Sequence, residues 1–140
     1  MQMLVASCMG ATAFQKGLGG MHALAHPLGA LYDAHHGLLN AILMPYVLKA
    51  NQSVIEQHIE QLAGYMQLTD CTFNGFLNWV LELRKSMSIP DSLQEIGIDE
   101  KQSKLIGRMA VADPSALTNP VKFTAEDYSE LFCSAVKGLL

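Results

Sequence analysis

Apolar residues recur along this chain at helical spacing. Ile55, Ile59, Leu62 and Met66 form one stripe, and Phe73, Phe76, Leu77, Val80 and Leu83 form another, with Trp79 at its flank. Ser53-Val54-Ile55-Glu56 has the pattern of a capping box and predicts a helix start there. The apolar run from Leu38 to about Leu48 then reads as a separate helix, bent by Pro45. Thr72 to Met87 is the next helix, stopped by Pro90; Ser92 to Ile96 is a short one closed by Gly97. Asp99 caps a helix that runs to about Ala112, Thr118-Asn119-Pro120 is a turn, and Thr124-Ala125-Glu126-Asp127 opens a last helix that Gly138 ends. No stretch alternates with period two and none is bounded like a hairpin. There is no internal repeat, low-complexity tract or linker. The expectation is one all-α domain over residues 1–140, a helical bundle of about seven helices.

The front of the chain carries the chemistry. Met3 to Phe14 is rich in Ala, Ser, Gly and Met, with no cap signal before it; Gln15 to Gly20, with three glycines, is a turn. Met21 to Tyr32 is a helix in which Pro27 removes one hydrogen bond and predicts a kink or a new first turn. Asp33 to Gly37 links it to the next helix. Four of the five histidines fall here: His22, His26, His35 and His36. His22 and His26, four apart, project from one helix face, and His36 opens the following helix. Neutral imidazole is a common metal ligand, so this is a plausible metal geometry. The spacing is equally that of hydrogen-bonded core histidines, and periodicity does not separate the two. His35 reads as an incidental surface residue or an extra metal contact. Asp33 reads as a turn residue, and His58, off its stripe, as a solvated one.

Composition narrows the classes. Charged residues are 16% of the chain, against about 25% in average soluble domains, and mean hydropathy is positive. No run approaches the ~18 apolar residues of a membrane span. The low charge predicts a large apolar surface that a partner covers. A net charge of −4 without a basic cluster argues against nucleic acid. Cys8, Cys71 and Cys133 show no CxxC spacing and read as small buried hydrophobes in a reducing, cytoplasmic setting. Leu4 to Cys8 superficially looks like a lipoprotein cleavage box, but no basic residue precedes it and its apolar run is too short.

The stretch Met21 to Pro45, with its Gly-rich turn, HALAHPLGALY, HG and an apolar run ending in LMP, resembles the iron-containing (group III) alcohol dehydrogenase family. MLVASCMGATAF before it and Thr118-Asn119-Pro120 after it extend the resemblance over essentially the whole chain, which corresponds to roughly the last third of a family member. The resemblance implies a helical C-terminal domain that helps to bind Fe2+, with Zn2+ as the other candidate, in an enzyme acting with NAD or NADP on a small alcohol or aldehyde. By matching positions it implies His22 and His36 as metal ligands. It implies His26 as a residue beside the metal that positions substrate or relays a proton. The family's other two ligands, an Asp and a His, and its nucleotide-binding domain would precede Met1. Gly17-Leu18-Gly19-Gly20 lies between helices and is a helix-turn run, not a phosphate loop. Two readings follow: the metal-binding portion of an NAD(P)-linked oxidoreductase, or an inactive helical remnant that self-associates. An unrelated di-histidine hydrolase lacks the carboxylates it would need. Without the nucleotide domain, Leu24, Leu28, Leu31, Leu39 and Ile42 are expected to face water in part, and the expected assembly is a symmetric homodimer.

Overall fold

The computed structural model describes residues 1–140. The chain is all-helical, with six α-helices: α1 Gln2–Ala13, α2 Gly19–Tyr32, α3 His36–Tyr65, α4 Phe73–Ser86, α5 Ser103–Ala112 and α6 Ala125–Lys137. Four short 3-10 turns join them. The two helices expected over Leu38 to Leu48 and from Ser53 are one 30-residue helix, α3, and the short one at Ser92 to Ile96 is a 3-10 turn, Gln94–Ile96. Ser53 therefore lies inside α3 and caps nothing. No glycine or proline interrupts Leu48 to Ser53, and Gln52 bonds Glu56 one turn on, at 2.8 Å. Pro27 and Pro45 both sit inside continuous helices.

The other starts and stops follow local chemistry. Thr72 accepts from the Gly75 amide and Asp99 from Lys101. Thr124 and Asp127 cap each other reciprocally at the start of α6, and Gly138 ends it in the left-handed conformation.

The main core gathers Leu24 and Leu28 of α2, Leu39, Ile42 and Leu43 of α3, Ile106 of α5, and Tyr128 and Phe132 of α6. Leu24, Leu28, Leu39 and Ile42 are fully buried. The expected apolar patch on the histidine helices is thus absent except for Leu31, which is 39% exposed. Contacts with α5 and α6 close over these leucines. A smaller cluster of Ala63, Phe76 and Val80 packs the far half of α3 against α4. In the α4 stripe Leu83 turns outward and Arg84 inward. Arg84 donates to Asp91 at 2.8 Å and to the Ile42 carbonyl at 3.4 Å.

The exposed apolar surface lies on α1. None of its twelve residues is buried, it carries no charge, and Met3, Leu4 and Met9 are at least two-thirds exposed. The cysteines also depart from expectation. Cys8 and Cys71 are exposed and Cys133 is partly buried, because Cys8 rides on α1 and Cys71 sits in the α3–α4 loop. No helix is long and apolar enough to cross a membrane.

The tightest helix contact is at Gly107 of α5. A Cβ there would stand 2.2 Å from the Ala125 carbonyl oxygen and 3.2 Å from Ser129. The obstacle is backbone, which cannot swing away. Gly107→Ala is expected to cost about 2–3 kcal/mol by forcing α5 off α6. Urea denaturation checks it; a midpoint equal to the wild type would refute the close-approach reading.

Candidate metal centre

The site is built on the start of α2. Gly17, at φ +103°, faces Thr118 so closely that a Cβ would lie 2.4 Å from the threonine side chain. That approach lets Thr118 Oγ accept from the Gly19 amide at 3.1 Å and Asn119 Oδ1 from the Gly20 amide at 2.9 Å. Two orphan donors of the helix N-terminus are thereby capped from a loop 99 residues away. Asn119 is itself locked to Asn51 of α3 by paired amide bonds of 2.9 and 3.1 Å, and donates to the Val121 carbonyl at 2.7 Å. Asn51 donates on to the Val47 carbonyl and accepts from the Val121 amide. The Gly-rich turn and Thr118-Asn119-Pro120 are two halves of one joint, which fixes α2 against α3.

With α2 so placed, His22, His26 and His36 meet. Their ring centroids are 5.8 Å apart for His22–His26, 5.1 Å for His22–His36 and 5.5 Å for the stacked His26–His36 pair. Asn40, one turn after His36, puts its amide nitrogen 2.9 Å from His36 Nε2 and 3.4 Å from His22 Nε2. An amide nitrogen only donates, so both Nε2 atoms accept and both lone pairs converge on one NH2 group. His22 Nδ1 and Asn40 Oδ1 are buried without partners. Burial, with the neighbouring His36 and His26 rings, holds the His22 pKa below the usual histidine value, so this ring stays neutral at neutral pH. His26 is more open, and its Nδ1 lies 2.9 Å from Asp113 Oδ2 at the end of α5.

The other candidates go elsewhere. Asp33 is the left-handed C-cap of α2, at φ +52°. His35 is exposed and caps α3, its Nδ1 accepting from the Leu38 amide at 3.3 Å. His58 is exposed. Two imidazole nitrogens free of protons and aimed at one place are the donor chemistry of two metal ligands. No group of three or more His, Cys, Asp or Glu side chains is arranged to hold an ion by itself. A mostly apolar cleft of about 390 Å³ lies away from the histidines, between α3 and α6 beside Tyr46, Phe123 and Leu131.

The fold is an all-helical domain with histidines meeting at a helix–helix junction, and the comparisons give its family. Residues 1–136 match the Fe-containing alcohol dehydrogenase family, C-terminal; the chain belongs to this family. It is 34% identical to the NADPH-dependent butanol dehydrogenase of Clostridium saccharobutylicum, over 94% of this chain and 36% of that protein. It is 32% identical to the 1,3-propanediol dehydrogenase of Citrobacter freundii, over 95% of this chain and 36% of that one. Among solved structures, a 1,3-propanediol oxidoreductase superposes with a TM-score of 0.78 at 30% identity, covering 84% of this chain and 32% of that one. The alcohol dehydrogenase from Oenococcus oeni gives 0.77 at 31% identity, with the same coverage. The chain thus spans about a third of the length of the curated relatives it matches.

Sequence reasoning missed Asn40, Asp113 and the Asn51–Asn119 pair. Asn40 had a local signal, its place four residues after His36 on one helix face. Asp113 and Asn119 meet their partners only through the fold.

Proposed function

We propose that this chain supplies the helical, metal-binding part of an iron-dependent, NAD(P)-linked alcohol/aldehyde oxidoreductase. His22 and His36 hold the metal through Nε2, and His26 positions the substrate or relays its proton. The observation that carries the reading is the convergence of the two Nε2 atoms on a single donor, Asn40, in a chain of this family. Fe2+, or Zn2+ in its place, supplies Lewis-acid stabilisation of an alkoxide when bound. The chain's own residues do the rest: α2 and α3 fix the imidazoles, burial keeps His22 unprotonated, and His26 stands at the open side to take or give a proton. The nicotinamide and the remaining donors come from a nucleotide-binding region of the kind the longer relatives have room for. The substrate class is a small primary alcohol, diol or the matching aldehyde, and the setting is cytoplasmic.

The test joins this chain to the portion of the Clostridium butanol dehydrogenase that lies outside the match. Reduction of butyraldehyde by NADPH, lost in His22→Ala and His36→Ala, supports the reading. Activity unchanged in both variants refutes it. The chain by itself is expected to lose Fe2+ on dialysis against a chelator and to retain Zn2+ or Ni2+ better, since two imidazoles favour the later divalent ions. One equivalent of iron surviving dialysis, measured by elemental analysis, contradicts that.

The second reading, an inactive helical unit that self-associates, is favoured by α1, whose apolar residues are exposed along its whole length. It predicts a homodimer at micromolar concentration in sedimentation. It also predicts a monomer when Leu4 and Met9 are both changed to Glu. Under this reading the interface is α1, not the histidine face.

A further inference from the structure

His26 is the one imidazole of the cluster that Asn40 does not touch. Its partner is Asp113, 87 residues further along the chain, with Nδ1 and Oδ2 2.9 Å apart. The Asp113 side chain is 13% exposed and His26's is 40% exposed. The carboxylate is held from both ends: Oδ1 accepts from the Ser115 amide at 2.8 Å, capping the 3-10 turn Pro114–Thr118, and Oδ2 faces the ring. Its rotamer is therefore fixed by the turn, not by the histidine. Burial alone would raise the Asp113 pKa, but the Ser115 amide and the His26 ring outweigh it and hold the carboxyl below its ordinary value. An ionised carboxylate only accepts, so the proton between the two atoms resides on His26 Nδ1.

The neutral ring has one proton, and its Nε2 is left as a bare lone pair. His22 and His36 reach the same state by a different route, with Nε2 accepting from Asn40. All three rings of the cluster thus present unprotonated Nε2 atoms, although a free histidine side chain prefers its proton on Nε2. That shared tautomer suits a cluster that receives cations and protons.

We propose that Asp113 is a positioning residue of this site: it fixes His26 as the Nδ1–H tautomer, and so makes Nε2 the atom through which His26 acts. The consequence for function rests on the oxidoreductase reading above; the tautomer itself does not. A carboxylate that orients an imidazole in this way is a recurrent partner of working histidines, setting which ring nitrogen carries the proton.

The experiment is long-range 1H–15N correlation on the 15N-labelled chain, metal-free, at a pH above the imidazole range, with His35 and His58 as internal references. In the wild type, His26 is expected to show a protonated Nδ1 and an unprotonated Nε2. Asp113→Ala is expected to move most of the population to Nε2–H. Asp113→Asn, whose carbonyl oxygen accepts the same proton, is expected to restore the wild-type pattern. A wild-type His26 that carries its proton on Nε2 overturns the proposal, as does an unchanged pattern in a folded Asp113→Ala. If Asp113→Ala fails to fold for want of the Ser115 cap, the wild-type and Asp113→Asn spectra decide. Zinc titration of the same samples separates the two claims. Zinc bound through His22 and His36 with the wrong His26 tautomer removes only the role of Asp113. The right tautomer, together with joined-protein activity that is unchanged in His22→Ala and His36→Ala, removes only the oxidoreductase reading.

Discussion

Changing Asn119 to alanine is expected to destabilise the domain by about 3–5 kcal/mol, because it leaves several buried polar groups unpaired at once. Asn119 is 7% exposed. Its oxygen accepts from the Gly20 amide and from Asn51, and its nitrogen serves the Asn51 oxygen and the Val121 carbonyl. Removing the amide strands the N-terminus of α2 and breaks a fully satisfied network, the case in which buried polar groups cost most. Thr118→Ala, which removes a single bond to the Gly19 amide, is expected to cost only about 1 kcal/mol. Urea denaturation of the two variants measures both. The histidine site gives a second readout: in Asn119→Ala the His22 and His36 resonances are expected to broaden even where the domain stays folded, because α2 is no longer pinned. Equal midpoints for the two variants would show that the joint is not what holds α2.

What the sequence made legible was local. Thr124 caps the helix it was expected to open, Asp99 caps the 3-10 turn Glu100–Gln102 that leads into α5, and Gly97 and Gly138 close theirs, because each such signal needs only residues within one turn. The Ser53 box failed for the complementary reason. The same residues serve a helix interior when nothing upstream breaks the helix, and Asn51 rewards continuity by bonding back to Val47 and across to Asn119. Burial was harder still. Leu24, Leu28, Leu39 and Ile42 were expected to face water in part, yet α5 and α6 cover them fully, and nothing near those leucines in sequence announces that cover. At the site, the pairing of His22 with His36 came from the family resemblance. The structure adds their shared donor, Asn40. Asp113 is out of reach of any pattern argument, since its link to His26 spans 87 residues.

Asn40→Asp is the change expected to alter metal affinity most. The Asn40 side chain already reaches both Nε2 atoms, at 2.9 and 3.4 Å, so a carboxylate of the same length stands beside the same two nitrogens. It adds a third donor and a negative charge where the wild type offers only an NH2 group that competes for the lone pairs. Affinity for Zn2+ rises with donor number and with charge neutralisation, and a gain of about 1.4 kcal/mol is already tenfold. The expected result is a Zn2+ dissociation constant at least ~10-fold lower than wild type by calorimetry, and a matching rise of the unfolding temperature with added zinc. The metal-free protein does not share the gain. An acceptor now faces two acceptors, and the imidazoles relieve this only by taking a proton onto Nε2. Asn40→Asp without zinc is therefore expected to be no more stable than wild type, so the gain appears only with the metal. Adding His22→Ala or His36→Ala to Asn40→Asp is expected to remove the gain in zinc affinity. A gain that survives the loss of both histidines would place the metal elsewhere, and an unchanged affinity in Asn40→Asp would mean that the two Nε2 atoms do not converge as the structure has them.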